Sequence, residues 1–253
     1  MLTVIDLFTA GSHSAGGPAM HHEKHVTRLR LLGGWDLSVG GTAVLLGHRQ
    51  QRLLAALAVH GERSRHFLGG LLWPECTEAH AMGSLRASVF TISRRLPGLI
   101  AVRGHDLALA TSVDVDLHRL LDFLAGPLTA PIPDDRWCID RSRVELLPGW
   151  YDDWVLAEQE RLRGLYANAL EQLAQAALDR RDVYRALTLA QTVRDLDPLR
   201  ESAVRILVQG HLALDNEAAA LHAFRCFQTT LAHELGTLPS ARITGMVSAL
   251  QRS

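Results

Sequence analysis

Residues 64–110 read SRHFLGGLLWPECTEAHAMGSLRASVFTISRRLPGLIAVRGHDLALA. Ser64 stands where a helix cap is wanted, its hydroxyl able to accept from an unpaired first-turn N–H. Phe67, Leu68, Leu71 and Leu72 follow at helical spacing until Trp73-Pro74, where the proline stops the helix. After a polar turn at 75–80, Leu85, Val89, Ile92 and Leu96 recur every three to four residues. That spacing predicts a helix over about 81–95 with this stripe as its core face. Pro97-Gly98 ends it, and 99–103, Gly104-His105 and 106–110 read as a two-stranded hairpin.

Working outward toward the N-terminus, Leu53, Leu54, Leu57 and Ala58 mark a helix over 50–60 closed by Gly61. Before it, Leu29, Leu31, Trp35, Leu37 and Val39 alternate between the turn signals Gly33-Gly34 and Gly40-Gly41, as short antiparallel strands do. A small sheet, three helices and a terminal hairpin describe a winged helix-turn-helix, in which the third helix is the one that can enter a major groove. With the predicted stripe inward, Ala87, Phe90, Thr91 and Arg94 face outward, flanked by Ser84, Arg86 and Arg95. Arg94 has the fork to pair with guanine O6 and N7, and Thr91 can meet a base edge or a thymine methyl. Arg86 and Arg95 are placed for phosphates. Arg103, on the hairpin, has two readings: a phosphate or minor-groove contact, or a cross-strand partner for Asp106.

Beyond the hairpin an amphipathic helix is predicted over 114–126, and Pro127, Pro131 and Pro133 break the chain into an irregular connection. After Pro148-Gly149 the pattern is helical throughout, with helices expected at 153–179, 183–196, 199–214, 217–233 and 239–250. Leu170, Leu173, Ala174, Ala177, Ala186, Ala190, Val193 and Pro198 match the small and apolar positions of a tetratricopeptide repeat of ~34 residues. Val204, Leu207, Val208, His211, Ala220, Phe224 and Phe227 continue it as a degenerate second unit, departing at His211 and Ala232. Stacked hairpins of this kind, or a plain helical bundle, offer a docking surface and no chemistry. Trp150, Tyr151 and Trp154 are expected to lock this helical region together rather than to stack on bases, and the acids Asp152, Asp153, Glu158 and Glu160 to complement a helix N-terminus.

The expected organisation is therefore a disordered or mistranslated leader over 1–24, a winged helix over 25–113 and a tetratricopeptide-like domain over 114–253: mainly α with a small β component. The 253 residues, 47% hydrophobic and 21% charged, suit one or two globular domains. No run is long and apolar enough to span a bilayer and no signal peptide opens the chain, so a cytoplasmic, nucleoid-associated protein without membrane contact is expected. Cys76, Cys138 and Cys226 lie far apart, suggesting neither zinc nor disulfides, and are expected to be buried small hydrophobes; His13, His21, His22 and His25 lack a metal-ligand spacing. Lys24 is the single lysine, so phosphate contacts fall to arginine, hydroxyls and backbone N–H groups. The overall charge of −1 hides a split: residues 25–117 carry ten arginines and seven acids, residues 118–253 fifteen and eighteen. The positive excess lies on the winged-helix half.

Longer strings extend this reading. Leu146-Leu147-Pro148-Gly149-Trp150-Tyr151-Asp152-Asp153-Trp154, Glu158-x-Glu160-Arg161-Leu162, Asp197-Pro198-Leu199-Arg200-Glu201-Ser202-Ala203, Glu234-Leu235-Gly236 and Pro239-Ser240 resemble the bacterial transcriptional activator domain. Leu31-Leu32-Gly33-Gly34-Trp35, the run from Gln51 to Ala58, Leu71-Leu72-Trp73-Pro74 and Ser84-Leu85-Arg86 resemble the OmpR-type winged helix. The two in this order are similar to the Streptomyces antibiotic regulatory protein family of activators. That resemblance implies a sequence-specific activator of a secondary-metabolite (antibiotic) gene cluster, a homodimer on promoter repeats of double-stranded DNA that recruits RNA polymerase holoenzyme; a repressor of the same architecture and a protein-interaction scaffold are the alternatives. Departures are visible: no phosphate-binding loop occurs and the sequence stops after the helical domain, so the nucleotide-binding and sensor modules of large members and an ATP-driven switch are not expected. Nor is there a receiver-domain phosphorelay site. Ser84 stands where a polar amide is expected, and Thr91 and Ser93 where arginines are frequent. No nucleophile elbow, metal motif or cofactor loop frames the Ser, His and Asp residues, so neither an enzyme nor a cofactor is expected.

Overall fold

The computed structural model describes residues 26–126 and 145–248. The leader with its histidines, Cys138 and most of the proline-rich connection lie outside them. The chain is mainly helical with a small β component. Strands β1 (Thr27–Arg30), β2 (Asp36–Val39) and β3 (Thr42–Ala43) lead into α1 (His48–His60), a short β4 (Arg63–Ser64), α2 (Arg65–Leu72) and α3 (Glu78–Arg95). The hairpin β5 (Ile100–Arg103) and β6 (Asp106–Leu109) precedes β7 (Val113–Val115) and α4 (Asp116–Ala125). The helical region comprises α5 (Asp153–Asp179), α6 (Val183–Leu196), α7 (Glu201–Ala213), α8 (Glu217–Leu235) and α9 (Ala241–Ser248).

Local chemistry explains many of these boundaries. Ser64 caps α2, its hydroxyl accepting from Phe67 N at 3.2 Å; Asp182 and Asn216 cap α6 and α8 in the same way through Arg185 N and Ala219 N. Gly236 closes α8 in the left-handed conformation, φ 63°. α3 begins a turn earlier than its apolar pattern predicts, after Thr77, because the polar segment Glu78–His80 is helical as well.

Two sheets form. The first has the order β3-β2-β1-β7, with β1 antiparallel to β2 and parallel to β7; the second has the order β4-β6-β5, antiparallel throughout. β7 is absent from the sequence reading, which runs a helix from residue 114. Asp116 explains the difference. Its buried carboxylate accepts from Leu31 N at 2.9 Å, Leu32 N at 3.1 Å and its neighbour Leu117 N at 2.8 Å, so it closes the end of β1 and the start of α4 together. Burial pushes its carboxyl above the usual range, and the three N–H donors and Arg119 pull the other way.

In the helical region α5 packs on α6, α6 on α7 and α7 on α8. Ala174, Ala186, Ala190, Ala203 and Ala220 are fully buried, which brings neighbouring helices close, as repeat hairpins require. The start of α9 is tied back to α7 by Glu201, which accepts from the Ser240 backbone N–H at 2.8 Å and from its hydroxyl.

The tryptophans at the start of α5 hold a different place from the expected one. Trp150 stacks on Trp35, centroids 6.0 Å apart and planes 23° from parallel, and meets the edge of His48; Trp154 lies against His60 at 5.7 Å. Asp152 pairs with the largely buried Arg52 of α1, while Glu158 and Glu160 pair with Arg161 and Arg163 along α5. Trp150, Trp154 and the Asp152–Arg52 pair join the two halves instead of locking the repeats, while Asp152 at the N-cap and Asp153 in the first turn lie where acids complement a helix N-terminus. Tyr151 is exposed. Leu31 and Leu147 complete the junction: Leu147 N donates to Leu31 O and Gly33 N to Glu145 O, both at 2.8 Å, around a bridge between Leu32 and Leu146. Cys76 and Cys226 are exposed rather than buried, since each falls on the polar side of its turn or helix.

Candidate nucleic-acid interface

α3 is the helix on which the candidate site is built. Its buried residues are Ala81, Leu85, Ser88 and Ile92, whereas Val89 and Leu96 are only half-buried. The core face is therefore rotated from the apolar stripe toward Ser88, by roughly half the 100° step of one residue. A serine small enough to sit against the neighbouring helices takes the central position that hydrophobicity assigned to valine.

That rotation redistributes the solvent face. Phe90, 66% exposed, stands at its centre, with Arg86, Ala87, Ser93 and Arg94 exposed around it. Thr91 and Ser84 move to its half-buried flank, and the Thr91 hydroxyl donates to Ala87 O within the helix at 2.9 Å. Arg95 is exposed at the C-terminal end. The structure thus gathers Arg86, Ala87 and Arg94 on one face and sets Ser84, Thr91 and Arg95 beside it. Ser93, which a stripe centred on Val89 leaves off the outer face, belongs to it once Ser88 is in the core. Among the described residues, Arg86, Arg94 and Arg95 have no ion-pair partner. Three guanidinium groups without an ion-pair partner on one helix are free to engage an anion.

The hairpin projects beside this helix. Gly104, φ 60°, and His105 form its two-residue turn, and β4 seals its other edge, with Arg65 N donating to His105 O at 3.0 Å. Arg103 lies opposite Asp106 in the ladder, yet its ion pair is with Glu62, Nη1 to Oε2 at 2.6 Å. The cross-strand pairing with Asp106 is corrected: Glu62, brought in by the β4–β6 pairing, takes that place. Nothing local signals this partner, 41 residues away. The helix and the hairpin are packed against each other, and both carry exposed arginines.

No helix among the described residues is long and apolar enough to cross a membrane, and no cluster of His, Cys, Asp or Glu among them has the makings of a metal site. A comparison with curated proteins gives no match. Among solved structures, the chain is similar to Mycobacterium tuberculosis EmbR in complex with a low-affinity phosphopeptide, with a TM-score of 0.71 and 21% sequence identity over 90% of this chain. It spans 65% of the length of that structure. The likeness concerns the fold, mainly helical behind a β-containing N-terminal region. Residues 121–251, over half of the sequence, match the model of the bacterial transcriptional activator domain. The chain belongs to the bacterial transcriptional activator domain family, a family of transcriptional regulators.

Proposed function

We propose that this chain is a sequence-specific DNA-binding transcriptional activator of the antibiotic-regulatory type. Residues 25–113 read double-stranded promoter DNA and residues 114–253 engage RNA polymerase holoenzyme. The observation that carries the reading is the solvent face of α3, where Arg86 and Arg94 flank Phe90 without an acidic partner beside a projecting hairpin. Arg94 reads a guanine, the Phe90 ring packs against an apolar base edge such as a thymine methyl, and Arg86, Arg95 and Arg103 meet phosphates, with Ser84, Ala87 and Thr91 lining the contact. The small footprint of one such helix favours a homodimer on promoter repeats. By family analogy the regulated genes form a secondary-metabolite cluster.

The test is a fluorescence-anisotropy titration of promoter fragments from the gene neighbourhood with wild type and Arg94→Ala at two salt concentrations. An arginine–guanine pair contributes ~1–3 kcal/mol of discrimination. The variant is therefore expected to lose roughly 5- to 160-fold in affinity for the selected fragment and little for unrelated DNA. Absence of selective, salt-sensitive binding by the wild type would remove the DNA-reading role. Run-off transcription on a bound fragment then distinguishes activation from repression.

A further inference from the structure

Of the arginines assigned to the DNA face, Arg103 alone is held by a carboxylate among the described residues. Glu62 follows Gly61, the left-handed residue that ends α1, and immediately precedes β4. Because β4 pairs with β6, Glu62 is delivered to the base of the hairpin, within 2.6 Å of the Arg103 guanidinium. Both groups are accessible, with side chains 63% and 38% exposed, so the pair is open to solvent and to competition. The nearest cationic neighbour in sequence, Arg63, lies over the Phe67 ring, 5.6 Å from its centroid, and donates to the Glu62 backbone carbonyl at 2.8 Å, so the ion pair of the Glu62 carboxylate is with Arg103.

We infer that Glu62 competes with DNA phosphate for Arg103 and thereby sets how strongly the hairpin grips the duplex irrespective of sequence. The inference rests on the DNA-binding reading above and concerns its regulation. A phosphate approaching Arg103 either displaces the Glu62 carboxylate from Nη1 or takes the remaining guanidinium N–H groups with that negative charge nearby. The hairpin therefore contributes less to non-selective affinity than a free arginine would, and discrimination is left to α3. Such a built-in repulsive element is a recurrent way of obtaining specificity. An exposed ion pair is weak, ~0.2–1 kcal/mol, which is why DNA is able to compete with it.

The test measures Kd for a selected promoter fragment and an unrelated duplex across a salt series, using wild type, Glu62→Gln, Arg103→Gln and the double variant, each checked for an unchanged melting transition. Glu62→Gln is expected to tighten binding about two- to five-fold on both duplexes. It should also steepen the dependence of log K on log salt, by up to about 0.9, the increment for one fully neutralised phosphate, since Glu62 no longer offsets the Arg103 contact. Arg103→Gln should weaken both complexes and abolish the gain when combined with Glu62→Gln. If the wild type binds DNA and Glu62→Gln leaves affinity and salt slope unchanged, or its gain survives loss of Arg103, the competition is refuted while the DNA-binding reading stands. If the wild type binds no duplex, both fall together.

Discussion

Replacing Asp116 by alanine probes the residue on which both the end of β1 and the start of α4 depend. Its carboxylate serves three backbone donors, Leu31, Leu32 and Leu117, and all three residues are at least 95% buried. A buried donor left without an acceptor costs about 1–3 kcal/mol. Three such donors put the loss near 3–9 kcal/mol, and water admitted by the shortened side chain brings it toward the lower end. Folded domains have only about 5–15 kcal/mol in total, so Asp116→Ala consumes much of the stability of the winged-helix half. Asp116→Asn supplies a second measurement. Its one remaining oxygen serves Leu31 and Leu117, but an amide NH₂ confronts Leu32 N–H, so about 1–3 kcal/mol is expected. Urea denaturation followed by tryptophan fluorescence reads the effect where it matters, since Trp35 and Trp150 stack across the junction beside Leu31 and Leu32. Amide exchange at Leu31 and Leu32 should accelerate in the same order. An alanine variant within about 1 kcal/mol of wild type, or an asparagine variant worse than alanine, would refute the reasoning.

Two further outcomes follow from the packing. Burial holds the His60 imidazole below its ordinary 6.5; Glu158 opposes this shift, and Arg63 and Arg161 add to it. The unfolded chain therefore takes up a proton near pH 6.5 while the folded chain does not. The stability present above pH 6.5 is lost as pH falls from there toward the lowered folded value, and melting temperatures at pH 7.5 and 6.0 should show a drop that is smaller in His60→Gln. His211 shifts in the same direction through burial alone, so it contributes the slope that remains. In the repeat region, a side chain at Gly210 would begin 2.7 Å from the Leu187 side chain, within the contact between α6 and α7. Gly210→Val should cost about 1–3 kcal/mol by overpacking, measured by thermal denaturation, and a neutral result would show that Leu187 has room to turn aside.

Much of the architecture was legible because its determinants are local. The expected helices 153–179 and 183–196 coincide with α5 and α6, whose apolar periodicity is long and whose ends carry polar stops and the Asp182 cap. The hairpin was legible for the same reason, its Gly104-His105 turn separating two alternating runs. Three-residue β7 was not, since Val113-Asp114-Val115 is too short to display a period; it exists because β1 offers a parallel edge. The α3 face was read in outline but set askew, because apolarity ranks Val89 above Ser88 whereas the space against the neighbouring helices admits the serine.

The residues of the candidate interface divide in the same way. Arg86 and Arg94 were placeable from helical spacing alone, which acts over a few residues and is written in the chain. The partner of Arg103, the stacking of Trp35 on Trp150 and the return of Leu147 to Leu31 were decided only when distant segments met. Sequence by itself determined the long helices, the hairpin and the caps that end several of them, since caps, turns and periodicity depend on neighbours along the chain; three-residue β7 and the extra first turn of α3 it did not. Tertiary structure decided which charges are neutralised and which remain free for a ligand, because an ion pair depends on proximity in space, and no period or cap in the sequence records it.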